Sequence, residues 1–346
     1  MNWVEAPCKM ADEAARSAAL ARQGRLTKPP GALGSLEEIA VQFAAWQGRE
    51  KPEIGSAWIS IFASDHGIAE EGVSLFPQAV TAEMVRNFAR GGAAISVLSA
   101  KIGAHLEVIN LGTVSEVEPL EGVFDERIAS GTANFSKQEA MSREALGAAL
   151  ESGRRAAFRA QGAALFIGGE MGIANTTSAS AIACALLDAS PHLLSGPGTG
   201  LDGRGVAHKA EVIGNALLFH RNSLENPMEI LRILGGFEIA ALAGAFLGCA
   251  QSGIPILVDG FITSVAALLA ARINPGCRAW MMFSHASAEP GHRIVLEALG
   301  AKPLLDLGMR LGEGSGAAAA VPILKLACSL HGEMATFAEA GVSEQN

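Results

Sequence analysis

Short runs of apolar residues alternate with longer amphipathic segments along most of this chain. Residues 57–63, 106–110, 164–167, 256–259 and 279–283 are largely apolar, and 303–305 repeats the pattern more weakly. They lack the polar alternation of a half-exposed strand, as strands of a parallel sheet covered on both faces do. Between these runs the spacing predicts helices over 81–97, 137–161, 178–187, 206–219, 237–250 and 264–271. Gly91-Gly92 predicts a kink in the first, and Ser136 with Glu139 stands at capping-box spacing near the start of the second. Strand–helix alternation predicts a doubly wound α/β domain. The two ends differ from this. Residues 1–23 are Ala-rich and helix-prone, 317–338 are helix-prone around Pro322, and neither end shows a strand. The expectation is a small helical unit built from both ends.

The most membrane-like stretch, 239–258, contains Gln251 and Ser252 and is cut by Gly253-Ile254-Pro255. A buried helix followed by a buried strand explains it better than a membrane span. The 346 residues are 49% hydrophobic, with a net charge of −9. That supplies a core and disfavours a nucleic-acid binder, which needs a broad basic surface. The 5 cysteines form no C-x-x-C pair, and residues 1–20 have no signal-peptide core. Buried reduced thiols in a cytoplasmic protein are expected.

Chemistry collects where the apolar runs end. Ser64-Asp65-His66-Gly67 follows one run, and Gly168-Gly169-Glu170-Met171-Gly172 follows another. Asp259-Gly260, then Ser284-His285-Ala286-Ser287-Ala288-Glu289, then Leu311-Gly312-Glu313-Gly314-Ser315-Gly316 follow the rest. Ligands of open α/β sheets bind outside the carboxyl ends of the strands, so one crevice could gather these loops. Gly-flanked Glu170 and Glu313 suggest acid–base chemistry on a small molecule. Gly196-Pro197-Gly198-Thr199-Gly200-Leu201-Asp202-Gly203 precedes the helix carrying Lys209. It suits a phosphate at a helix N-terminus, and it also reads as a plain connector. Asn175-Thr176-Thr177 opens a helix as a cap. His285, Glu289 and His292 match no zinc spacing.

These words come in a distinctive order. Thr27-Lys28-Pro29-Pro30-Gly31, Asp65-His66-Gly67-Ile68, Phe76-Pro77-Gln78 and Gly91-Gly92-Ala93-Ala94-Ile95 come first. Gly169-Glu170-Met171-Gly172-Ile173, Asn175-Thr176-Thr177 and Gly198-Thr199-Gly200-Leu201-Asp202 follow. Asp259-Gly260-Phe261, Ser284-His285 and Met309-Arg310-Leu311-Gly312-Glu313-Gly314-Ser315-Gly316 close the series. Together, from about residue 26 to 316, they resemble the nicotinate-nucleotide–dimethylbenzimidazole phosphoribosyltransferase family of cobalamin lower-ligand assembly.

The resemblance implies a Rossmann-like parallel sheet with helices on both faces over 50–316. It also implies a small helical domain from 1–49 and 317–346, and a homodimer. Its substrates would be small molecules, nicotinate mononucleotide and an aromatic base, with no cofactor and no metal. Phosphoribose would pass to a benzimidazole, giving α-ribazole phosphate and nicotinate. The pyridinium leaves as a neutral ring, so the chemical need is a proton acceptor for the attacking base. The resemblance assigns that role to Glu313 and makes Glu170 the second acid. Gly198, Thr199, Gly200 and Lys209 match the phosphate cradle. Phe76, Met84, Met171 and Leu311 are candidates for the slot around the flat base, and Ser287 for nucleotide contact. Gly172, Asn175 and Thr176 complete the substrate-binding set. The chain departs from the family pattern at Ala174, where glycine is usual, and at Pro197, where a basic residue is common. It has no tyrosine, so Phe76 replaces an aromatic hydroxyl. Other readings are a metal-dependent hydrolase using Asp65, His66, Asp259, His285 and His292, and a non-catalytic nucleotide-binding paralogue.

Overall fold

The computed structural model describes residues 2–343. Met1 and residues 344–346, at the edges of the expected helical unit, lie outside the described residues. The strands are β1 (Ala57–Ser64), β2 (His105–Gly112), β3 (Val123–Asp125), β4 (Leu165–Met171), β5 (Ile256–Val258), β6 (Met281–His285) and β7 (Pro303–Leu305). They form one 7-stranded sheet in the order β3-β2-β1-β4-β5-β6-β7. Every pairing is parallel. The chain winds one way from β1 to β3 and the other way from β4 to β7. The crevice at such a reversal is where doubly wound folds bind ligands.

Two strands differ from expectation. β3 was not foreseen, because Val123-Phe124-Asp125 is a half-exposed edge strand with too few apolar residues to register as a run. β4 was expected to end at Ile167 but runs on through Glu170 and Met171, paired with β1 from Ser60↔Gly168 to Ala63↔Met171. The glycines mislead because they are required by packing rather than by a turn. A Cβ on Gly168 would fall 2.5 Å from Leu242 Cδ2, and one on Gly169 would fall 2.3 Å from Ile61 Cδ1.

The helices also differ in detail. The expected 81–97 helix is two helices, Ala79–Ala89 and Ala94–Ile102, broken at Gly91 with φ +80°. The 137–161 helix begins later, at Arg143, and is capped by Ser142, whose side chain accepts from Ala145 N. Ser136 instead donates to Asn134 Oδ1 at 2.7 Å, and Glu139 pairs with Arg232, so no capping box forms there. Ser35–Gln47 is a helix that the apolar pattern did not single out. The membrane-like stretch is the buried helix Phe237–Ser252 followed by β5. Among the described residues no helix is long and apolar enough to cross a membrane. All 5 cysteines are free thiols, and all but half-buried Cys8 are buried.

Both ends contribute helices that meet. Glu13–Gln23 and Ser315–Glu333 each pack on Ser35–Gln47. Arg22 fastens them, its Nε donating to His331 O at 2.7 Å and its Nη2 to Gly332 O at 3.0 Å. The other end of Ser315–Glu333 reaches into the sheet layer against β4 and β6.

Two core helices, Arg143–Arg159 and Phe237–Ser252, approach until their backbones touch. A Cβ on Gly153 would fall 1.8 Å from Ala241 O, and one on Gly244 would fall 2.2 Å from Leu150 O. Backbone meets backbone there, so no side chain can swing aside. Gly153→Ala should therefore cost about 1–3 kcal/mol through overpacking, despite the better helix propensity of alanine. Urea unfolding measures this, and an unchanged midpoint would contradict the packing argument.

Candidate active site

The site begins with a close crossing of two glycine-rich segments. Glu170 stands at the carboxyl end of β4, and the Gly312–Gly314 loop lies across it. A Cβ on Gly169 would fall 2.6 Å from Glu313 O, and one on Gly312 would fall 2.3 Å from Glu170 Oε1. The loop is left-handed at successive residues, Gly312 (φ +91°), Glu313 (φ +62°) and Gly314 (φ +80°). For glutamate this conformation costs roughly 1–2 kcal/mol. Asp259, just past β5, holds the turn in place. Its carboxylate accepts from Gly314 N at 3.2 Å and from Ala317 N at 2.8 Å, at the head of the helix Ser315–Glu333. Otherwise unpaired N–H groups at a helix start are thereby satisfied. The Glu313 carboxylate accepts from Ile95 N at 3.4 Å, in the first turn of Ala94–Ile102. The break at Gly91-Gly92 is what exposes that N–H.

Above this crossing lies a cavity of about 450 Å³. It gathers the ends of β4, β5 and β6, the loop after β1, and the Glu313 loop. Of the residues expected at the site, Glu170, Glu313, Phe76, Met84, Met171, Gly172, Asn175, Thr176, Gly198, Thr199, Ser287 and Leu311 line it. Gly200 and Lys209 do not. Gly200 sits behind the rim with its Cβ position 3.7 Å from Leu75 Cδ1. Lys209 is buried beneath the loop, its Nζ donating to Thr176 Oγ1 at 3.0 Å and to Gly196 O at 3.1 Å.

The glycine loop is not a ring of free N–H groups. Gly198 N donates to Glu289 Oε1 at 3.1 Å, and Gly200 N and Leu201 N donate to Pro197 O, each at 2.9 Å. Thr199 Oγ1 accepts from Leu75 N at 3.2 Å, joining this loop to the one bearing Phe76. At the opposite rim Arg310, exposed, donates from Nη1 to Gly198 O at 2.9 Å.

Comparison with known proteins gives this geometry a family. A family model described as phosphoribosyltransferase matches residues 8–342. The nicotinate-nucleotide–dimethylbenzimidazole phosphoribosyltransferase of Pseudomonas aeruginosa is 60% identical over 100% of this chain and 99% of its own. The protein of the same name from Azotobacter vinelandii is 60% identical over 99% of this chain and 98% of its own. The crystal structure of CobT from Thermus thermophilus superposes with a TM-score of 0.92 at 44% identity, covering 96% of this chain and 100% of that one. The chain belongs to the nicotinate-nucleotide–dimethylbenzimidazole phosphoribosyltransferase family. It is an α/β enzyme of that family, with the expected parallel sheet and flanking helices.

Within this phosphoribosyltransferase the acids of the site are not equivalent. Burial raises the Glu170 pKa well above the usual carboxylate range, and repulsion from Glu238, Asp259 and Glu313 adds to it. Its partners are the Asn175 amide and the backbone of Glu313. Burial also raises Glu313, against the Ile95 N–H, with Asp259 pushing the same way. Asp259 is raised by burial and opposed chiefly by His285. On the phosphate side, burial lowers Lys209 to about 8, with Glu289 opposing.

The metal-hydrolase alternative is not supported. His66 has both ring nitrogens engaged, Nδ1 with Ser178 Oγ at 2.9 Å and Nε2 with Glu238 Oε1 at 2.7 Å. His292 accepts from Ser287 N at 2.8 Å through Nδ1 and meets Ser264 Oγ at 2.9 Å through Nε2. Burial lowers its pKa to about 3, so the ring is neutral. Asp65 is spent on Thr81 Oγ1 at 2.6 Å and Val114 N at 2.7 Å. Among the described residues no group of histidines, cysteines and acids is placed to hold a metal ion.

Sequence reasoning missed Arg310 as a rim residue; it placed Asp259 and Glu289 among the strand-end loops of the crevice but gave them no role beyond the metal alternatives. It also missed Glu238, although an acid at the head of the otherwise apolar helix 237–252 is itself a signal, since buried acids demand partners. Ala174, flagged by its departure from the family pattern, has φ +74°, the left-handed region that a glycine occupies without strain.

The raised Glu170 has a stability consequence. A carboxyl whose folded pKa exceeds its unfolded value binds more protons when folded, so stability falls as pH rises through that interval. Glu170→Gln removes this loss. Its unfolding midpoint should exceed that of the unaltered protein at neutral and alkaline pH, with the gap closing in acid. Parallel pH dependences for the two proteins would contradict the assignment.

Proposed function

We propose that this protein transfers phosphoribose from nicotinate mononucleotide to a benzimidazole-type base, giving α-ribazole phosphate and nicotinate. The single observation that carries the mechanism is Glu313. It is a buried carboxyl on the cavity wall, in a strained loop, with one N–H donor on its side chain and room beside it. As one ring nitrogen of the base bonds to the anomeric carbon, the other N–H becomes acidic and Glu313 takes its proton. The C–N bond to the pyridinium breaks with its electron pair returning to nitrogen, so nicotinate departs unassisted. A positioned general base is worth ~10²–10⁴-fold.

Phe76, Met84, Met171 and Leu311 form the apolar wall for the flat base. Ser287, Thr176 and Lys209 serve the nucleotide, with Lys209 supplying charge from under the loop. Glu170 lies between the two ends, where it meets the ribose. Water must be kept from the activated donor, which would otherwise hydrolyse. Leu75, Phe76 and Leu311 are 62%, 52% and 60% exposed around the mouth. An apolar rim of this kind supports a homodimer in which a second copy covers it. We read residues 1–49 and 317–346 as a small helical domain, and the protein as cytoplasmic.

Glu313→Gln should fold normally and lose at least ~100-fold in kcat. The pH profile follows from the shifts. The base must be ionised, so kcat falls as pH drops through the raised Glu313 value. The nucleotide site must be cationic, so kcat/KM for nicotinate mononucleotide falls above about 8 as Lys209 deprotonates. Steady-state release of nicotinate measures both, and near-unaltered turnover by Glu313→Gln would remove the base from its role.

A further inference from the structure

We propose that Glu289 is a resident counter-anion of the donor-phosphate end, a carboxylate that competes with the phosphate for the same loop and cations and so sets the affinity and pH dependence of nucleotide binding. The inference rests on the reading that Lys209 and the 196–200 loop face the donor phosphate.

The geometry is specific. Glu289 follows β6, is buried, and lines the cavity. One oxygen accepts from Gly198 N at 3.1 Å. The backbone of Gly196 is folded around the other, close enough that a Cβ there would fall 1.9 Å from Oε2. The side chain is anchored at its own backbone, where its N–H donates to Ser287 Oγ at 3.3 Å and its carbonyl accepts from His292 N at 3.0 Å. The charged groups facing it come from separate elements. Lys209 lies on Gly203–His220 and Arg310 beyond β7, and both bond carbonyls of the same loop, at Gly196 and Gly198. His292, at the head of His292–Ala298, is neutral. His285 on β6 and the acids Asp259, Glu170 and Glu313 line the same cavity.

A loop N–H that would serve a phosphate is thus already committed to a carboxylate, and both cations, bonded to carbonyls of the same loop, lie within its field. This holds the loop through Gly198 and balances the nearby cations before the nucleotide binds, and it weakens capture of simple phosphate. A phosphate monoester brings about −1.5 to −2 charges to the same place. Like-charge repulsion then raises the Glu289 pKa further, and the carboxyl takes up a proton as the nucleotide binds. Burial already holds that pKa above the usual range against Lys209 and the Gly198 N–H. Between the free and bound values, affinity therefore falls as pH rises, by up to about tenfold per unit.

Isothermal titration of the full-length protein with nicotinate mononucleotide, and separately with inorganic phosphate, tests this. Buffers of differing ionisation enthalpy count the protons taken up at acidic, neutral and alkaline pH. Glu289→Gln keeps an acceptor for Gly198 N but removes the charge, whereas Glu289→Ala removes both. Glu289→Gln should bind the nucleotide roughly tenfold tighter at alkaline pH, with a flatter pH dependence and less proton uptake. Equal or weaker binding by Glu289→Gln with unchanged proton uptake, alongside weaker binding by Glu289→Ala, would overturn the proposal and leave Glu289 as loop support. Lys209→Ala separates the underlying reading, which fails if that variant binds both probes as the unaltered protein does.

Discussion

The constraint on which the site depends is the crowding of Glu170, Glu238, Asp259 and Glu313 around the carboxyl ends of β4 and β5. Each is buried, and mutual repulsion adds to the cost of desolvation. Such a cluster survives only if each acid is paired, hydrogen-bonded or protonated. Glu238 has His66 and Ser64, and Asp259 has the head of the helix Ser315–Glu333 with His285 nearby. Glu313 has the first turn of Ala94–Ile102. Glu170 is left with an amide and a backbone group, and its pKa is pushed well above the usual range, while burial also raises Asp259 and Glu313. The arrangement sorts similar side chains into different roles by environment alone, as paired acids in enzymes commonly are.

The same residues that satisfy this charge also hold the strain. The left-handed turn through Glu313 is unfavourable in isolation, and the Asp259 bonds to Gly314 and Ala317 hold it. Gly169 and Gly312 then let the turn sit against β4 with no intervening side chain. Glu313 is thus placed by backbone contacts rather than by a flexible side-chain network. A site built this way is rigid before substrate arrives, which lowers the cost of orienting the reactants.

Much of this was legible in the sequence. Apolar runs without alternation gave the parallel sheet, because burial on both faces leaves no polar face to mark. Strand ends rich in Gly, Asp, Glu and His gave the crevice. What was hidden has physical causes. Gly168-Gly169 looks like a turn but lies within β4, since a sequence does not distinguish a glycine needed for a dihedral angle from one needed for space. Val123–Asp125 is too short and exposed to show. Lys209 reads as a cradle residue but sits under the loop, and the loop N–H groups expected to be free are spent on Glu289 and Pro197. The Lys209–Thr176 and Gly198–Glu289 pairings are long-range, which local pattern does not encode, whereas the Pro197 bonds are a local turn that glycine spacing alone does not reveal.

The order in which the acids ionise is the most direct test. Carboxyl carbons of glutamate-labelled, substrate-free enzyme can be titrated by NMR, with Glu170 and Glu313 assigned through their glutamine variants. Glu170 should release its proton at a higher pH than Glu313. If Glu170 ionises first, or if both titrate as exposed glutamates do, crowding and burial do not divide the roles and the account fails.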